Sequence, residues 1–201
     1  MSIYFRTARK EDIPVVAKLI DSASGDFIDF LYRDLVPGKT TVQIIEQKLD
    51  SDDLSMRLED CLLAETEGGI AGLSLSYPAC NPRISPEMES LIPDERLKRI
   101  HENYSARVKG SWYLDSLAVS PKYKKRGIGS SLLDQTKKRG LNKGHDILSL
   151  TVFKDNKPAY RLYRKHGFVV ERKVYEEVTE QSSHEGECVL MKCELKRKLP
   201  L

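Results

Sequence analysis

The chain has 201 residues, 40% hydrophobic and 31% charged, which suits one globular core and argues against disorder along its whole length. Its 33 basic and 30 acidic residues leave a net charge of +3, too balanced for a general nucleic-acid binder. There is no run of about 18 apolar residues to cross a membrane, and the four cysteines (Cys61, Cys80, Cys188, Cys193) form no C-x-x-C pair that would suggest zinc or another metal.

The opening residues MSIYFRTARKED hold no apolar stretch of export-signal length, so a cytoplasmic protein with free thiols is expected. Residues 3–6 read as a short strand. Ile13, Val16, Ala17 and Ile20 then recur at helical spacing, with Glu11 and Asp12 in the first turn and Gly25 ending the pattern. The aromatic stretch DFIDFLYRDLVPGKT is interrupted by Pro37-Gly38, and a second helix is expected over 41–49. Residues 61–65 and 70–77 read as strands joined by a hairpin turn at Thr66-Glu67-Gly68-Gly69. Residues 80–110, with Pro82, Pro86, Pro93 and the charged run DERLKRIHENYSARVKG, read as a partly helical insertion between core strands.

The second half alternates. Trp112 to Val119 reads as a strand, 127–140 as a helix with Ile128, Leu132 and Leu133 on its apolar stripe, and 147–153 as a strand with Leu148, Leu150 and Val152 in alternation. A helix over 156–165 follows, then a closing strand pair at 168–175 and 187–194 around the polar segment EVTEQSSHEGE, and a loose tail, KRKLP. Alternating strands and helices argue for parallel pairing there, and the hairpin for antiparallel pairing earlier. The expected fold is a mixed α/β sheet in a single domain, 1–201, with an insertion at 80–110 and no internal repeats.

Chemistry concentrates at KKRGIGSS, residues 124–131, where a strand runs through a basic turn into a helix. The first N–H groups of a helix have no partner inside it, and its N-terminus carries partial positive charge. Glycines leave that backbone open to a ligand, so Gly127 and Gly129 with Lys122, Lys124, Lys125 and Arg126 make a phosphate site. The plainer alternative is a glycine-started helix with solvated lysines. The turn is neither a P-loop, lacking Gly-Lys-Ser/Thr, nor a dinucleotide fingerprint, lacking the third glycine.

A second element lies downstream at NKPAYRLYRKHGF, residues 156–168. Asn156 can cap a helix with Pro158 in its first turn, Tyr163 falls two turns along, and Gly167 ends it. Together the two segments resemble the GNAT acyltransferases, which move acetyl groups from acetyl-CoA to amines. The first resembles the family's Gln/Arg-x-x-Gly-x-Gly/Ala motif after a strand ending Leu-Ala-Val-x-Pro, with Lys124 where Gln or Arg is usual. The second resembles its Asn-x-x-Ala-x-x-x-Tyr-x-x-x-Gly-Phe segment.

The resemblance implies a largely antiparallel sheet with one splayed parallel strand pair, flanked by helices, and acetyl-CoA as acyl donor without a metal. It implies that backbone groups of Leu117, Ala118 and Val119 pair with the pantetheine arm. It implies too that the N–H groups of Lys125, Arg126, Gly127, Ile128, Gly129 and Ser130 hold the pyrophosphate with Lys124 adding charge, and that Asn156 contacts the pantetheine or phosphate end through its side chain. Tyr163 matches the family's acid, the alternative being a core tyrosine. Asp115, two residues before Leu117, shares its strand face by simple alternation and is a candidate base, or else a strand-edge carboxylate; Glu65 is a rival. The backbone N–H of Leu117 or Val119 suits the oxyanion. His166 reads as a helix C-cap, His101 and His145 as lacking triad partners, Cys61 as core packing and Cys80 as the more accessible thiol.

The acceptor is expected to be a primary amine of a small molecule or amino-acid-like metabolite. The alternatives are a protein N-terminus or lysine, or a non-catalytic CoA sensor. Phe27, Phe30, Tyr32 and the insertion, with Glu87, Glu89, Asp94 and Glu95, are candidates for the acceptor side or for plain packing and a solvated face. No nucleic-acid or membrane partner is expected, and a homodimer is left open.

Overall fold

The structure, a computed structural model, describes residues 2–24, 27–32, 34–51, 56–80, 84, 89–90, 92–175 and 187–196. Strands β1 (Tyr4–Thr7), β2 (Cys61–Thr66), β3 (Gly69–Pro78), β4 (Trp112–Val119), β5 (Ile147–Phe153), β6 (Val169–Tyr175) and β7 (Cys188–Glu194) form one sheet in the order β1-β2-β3-β4-β5-β7-β6. Helices α1 (Ile13–Ser24), α2 (Phe27–Tyr32), α3 (Thr41–Asp50), α4 (Asp94–Ser105), α5 (Ile128–Asn142) and α6 (Lys157–Lys165) flank it. Every neighbouring pair is antiparallel except β4–β5.

Parallel pairing in the second half is therefore confined to that one pair. The connection through α6 carries β6 two strand positions beyond β5, and β7 returns into the slot between them, antiparallel to both.

Local chemistry explains the helices. The Asp12 carboxylate accepts from the Arg9 backbone N–H at 2.8 Å and pairs with Arg6 at 2.6 Å, fixing the turn before α1. Val16, Ala17 and Ile20 are fully buried, and a buried valine or isoleucine stabilises by about 1.5–3 kcal/mol. Thr40 caps α3: its hydroxyl accepts from the Gln43 N–H at 3.3 Å while the Gln43 side chain accepts from the Thr40 N–H at 2.9 Å, a reciprocal cap worth ~1 kcal/mol. Sequence alone missed α2, whose Ile28, Leu31 and Tyr32 are buried, because Pro37-Gly38 masks so short a pattern.

One expected boundary is wrong. Helix α5 does not stop at Gly140 but runs to Asn142, with Gly144 at φ 83 just beyond. Gly140 is buried inside the helix, where a Cβ would lie 3.1 Å from Trp112 Cβ and 3.0 Å from Leu195 Cδ1. This glycine serves close packing of helix on sheet.

Two apolar layers result. On one face α1, α2, α3 and α4 cover Leu63, Leu73, Leu75, Tyr77 and Tyr113. On the other, Trp112, Leu114, Leu148, Leu150 and Val152 pack with Leu133 of α5 and Tyr163 of α6. Helix α4 falls within residues 80–110; Pro82 and Pro86, Gly25, residues 176–186 and the end of the tail lie outside the described residues. Cys61, Cys188 and Cys193 are buried and Cys80 is exposed. No helix among the described residues is long and apolar enough to cross a membrane.

Candidate active site

β4 and β5 pair at Trp112↔Leu148 and Tyr113↔Ser149 and nowhere further along. A hydrogen bond of 3.0 Å between the Tyr113 and Thr151 hydroxyls closes the crotch, and beyond it the strands form a fork. The Ser120 N–H donates to the Ala71 carbonyl of β3 at 2.9 Å. Backbone groups alternate edges along a strand, so Leu117 and Val119 direct N–H and C=O into the fork. Ala118, expected to act with them, instead directs its pair at Leu73 of β3. Only every second residue of a strand can serve one edge.

The basic turn lies at the end of this prong. Gly127 adopts φ 80, ψ −2, a left-handed conformation that favours glycine, and caps α5. Lys125 is also left-handed, at φ 61. A left-handed residue followed by a right-handed one turns successive N–H groups to one side, an arrangement suited to anions. Among the described residues, the N–H groups of Gly127, Ile128, Gly129 and Ser130 donate to no acceptor; the first bond of the helix runs from Ser131 to the Gly127 carbonyl. Lys124, Lys125 and Arg126 are exposed around them. Lys122 is turned away, its Nζ donating to the Gly68 carbonyl at 3.0 Å.

The two sequence motifs meet here. An added Cβ on Gly129 would touch Val119 of β4 and Leu162 of α6, each at 3.6 Å. Asn156 caps α6 as its residue type predicts, accepting from the Ala159 N–H at 3.3 Å. Tyr163 is 7% exposed and packs on Phe168 with ring centroids 5.6 Å apart. Its hydroxyl makes no hydrogen bond among the described residues. Burial first, and nearby Tyr113 second, raise its pKa above the ordinary tyrosine value.

Asp115 departs from simple alternation. Leu75 faces Ser116 and Ser76 faces Leu114, so Asp115 is the extra residue of a β-bulge. The bulge moves it off the face of Leu117, which packs toward α5 and α6, and onto that of Tyr77, whose hydroxyl donates to Asp115 Oδ2 at 2.5 Å. Tyr163 and Asp115 thus belong to opposite faces of the fork. The rival Glu65 is engaged by Arg6 Nε at 2.6 Å on β2.

Sequence reasoning missed Tyr77 and Arg107, which donates from Nη2 to the Tyr77 hydroxyl at 3.1 Å. A tyrosine alternating with Leu73 and Leu75 in a buried row was the available signal, since a buried phenol needs a polar partner. Phe27 and Phe30 pack against the core and Tyr32 is buried within it. His166 caps the end of α6 and its Nδ1 lies 3.1 Å from Asp134; His145 Nδ1 lies 2.8 Å from the Gly110 carbonyl; His101 lies 3.4 Å from Glu89. Asp94 and Glu95 are exposed in the first turn of α4, and Glu87 is outside the described residues. No cluster of His, Cys, Asp and Glu suited to a metal occurs among the described residues.

The chain belongs to the acetyltransferase (GNAT) family, whose model matches residues 32–168. Among solved structures it is similar to an N-acetyltransferase from Staphylococcus aureus Mu50, 24% identical with a TM-score of 0.64 over 94% of this chain and 99% of that one. Arylalkylamine N-acetyltransferase 2 from Aedes aegypti is 16% identical with a TM-score of 0.66, over 98% of this chain and 100% of its own. The paia N-acetyltransferase from Thermoplasma acidophilum, solved in complex with coenzyme A, is 18% identical with a TM-score of 0.56, over 96% and 99%. At these identities the likeness establishes the fold. No curated protein matches the chain.

Proposed function

We propose that residues 1–201 act as one acetyl-CoA-dependent N-acetyltransferase domain that transfers an acetyl group to a primary amine by direct attack on the thioester. Small amino-acid-like amines are the first acceptor class to test. The observation that carries the reading is the fork: unpaired strand edge at Leu117 and Val119 leads straight to the free N–H groups at Gly127 to Ser130. An extended amide-bearing arm ending in a diphosphate matches both features in that order. Lys124, Lys125 and Arg126 supply charge around the diphosphate, and Asn156 faces the arm from the start of α6.

The amine nitrogen attacks the carbonyl carbon, the C–S bond breaks, and its electron pair stays on sulfur. The Leu117 or Val119 N–H stabilises the oxyanion. Tyr163 keeps its proton at neutral pH because burial disfavours the phenolate. The same burial makes it a weaker acid, so the proton reaches sulfur as charge develops there. Asp115, on the opposite face, accepts the proton released by the amine, directly or through water.

A thiol-release assay with acetyl-CoA and a panel of phenethylamine, spermidine, L-methionine, L-lysine and a peptide with a free N-terminus tests this. Release that depends on one amine class supports the enzyme and names its acceptor. A raised melting temperature with acetyl-CoA but no release across the panel supports a sensor instead.

A further inference from the structure

Asp115 is exposed, yet three separate features fix it. The β4 bulge re-aims it, as bulges do beside functional sites. The fully buried Tyr77 donates to its Oδ2 at 2.5 Å. Arg107 in turn donates to the Tyr77 hydroxyl at 3.1 Å, with its guanidinium 5.2 Å from the Tyr77 ring centroid and 4.4 Å from that of Tyr113. Tyr113 is itself tied to Thr151 across the crotch of the fork, and its ring lies 5.9 Å from that of Tyr77. The chain Arg107–Tyr77–Asp115 therefore ends on the first length of β4 that has no partner on β5. Asp115 Oδ1 takes no part in it.

We propose that Tyr77 and Arg107 are positioning residues for acyl transfer, which hold the Asp115 carboxylate in one orientation at the fork with Oδ1 left for the acceptor amine. This rests on the assignment of Asp115 as proton acceptor. As the C–N bond forms and the C–S bond breaks, one N–H proton of the amine passes to Oδ1 and then to solvent; Tyr77 keeps its own proton throughout. Arg107 keeps Tyr77 from rotating toward any other acceptor by occupying the hydroxyl's lone pair and the faces of both rings. An exposed aspartate without such restraint would sample several rotamers, and small misplacements of a reacting group cost rate steeply.

The test compares Tyr77→Phe, Arg107→Met, Arg107→Lys, Asp115→Asn and the double variant Tyr77→Phe/Asp115→Asn, using acetyl-CoA and the fastest amine of the panel. The melting shift with acetyl-CoA checks that each is folded and binds cofactor. Tyr77→Phe is expected to lower kcat on the order of tenfold, with KM for acetyl-CoA within about twofold of wild type. Arg107→Lys should recover part of the loss seen in Arg107→Met. The double variant should be no slower than Asp115→Asn, because both changes act through one carboxylate. Wild-type kcat in Tyr77→Phe, or losses that multiply in the double variant, overturns the proposal and leaves Asp115 standing. Wild-type turnover in Asp115→Asn removes Asp115 itself, and the relay with it.

Discussion

Tyr163 lies in the layer of Leu148, Leu150 and Phe168, and its phenol is the polar exception there. Tyr163→Phe removes one oxygen and keeps the ring, so kcat should fall by about 10²-fold while affinity for acetyl-CoA holds; equal losses in both would remove the assignment. The same burial has a consequence for stability. Tyrosines in an unfolded chain ionise near pH 10, whereas folded Tyr163 holds its proton higher, and Tyr113 is pushed up to about 12 by burial and then by Asp115. Above about pH 10 the unfolded state binds fewer protons than the folded one, so stability falls as pH rises. Melting temperatures should decline from there upward, and less steeply in Tyr163→Phe. The places of Tyr163, Asn156 and Gly127 on their helices were legible because they follow from local spacing and capping. The face of Asp115 was not, since one inserted residue reverses the parity of a strand and a bulge has no local sequence mark.

Helix α5 shows the same limit at the next scale. Its start was legible: a glycine after three basic residues, then an apolar stripe. Its end was not, because Gly140 reads as a stop when its neighbour across the sheet, Trp112, is unknown. Gly140→Ala should lower stability by about 1–3 kcal/mol in thermal or urea melts, since overpacking against Trp112 outweighs the ~1 kcal/mol gained in helix propensity. At the other end of the helix, Gly127→Glu places both bulk and negative charge where the diphosphate is proposed to sit. Calorimetry should find acetyl-CoA binding lost, and retained affinity would overturn the phosphate role. α2 and the hairpin make the matching contrast: the hairpin carries its turn residues in plain view, while a six-residue helix beside Pro37-Gly38 offers too few periods to read.

For the molecule as a whole, the mixed sheet followed from element order, but the place of β7 did not. Two antiparallel strands closing a chain pair with each other in sequence; that one also reaches β5 depends on how far α6 carries the chain across the sheet. Acetyl-CoA at 100 times its Kd should stabilise the fold by about 2.7 kcal/mol, on the order of 5–10 °C in melting temperature for a chain this size, with little response to ATP or NAD.

The parting of β4 from β5 also bears on heredity. What Leu117 and Val119 present in the gap is peptide amide and carbonyl, and these are common to nearly every amino acid. Their side chains can change through many generations without altering the atoms on offer, and proline, which lacks the donor, is the one replacement that erases it. A groove read through main chain would tolerate drift that a groove of side chains would not, and the fold that frames it is shared with chains that agree at only 16–24% of positions.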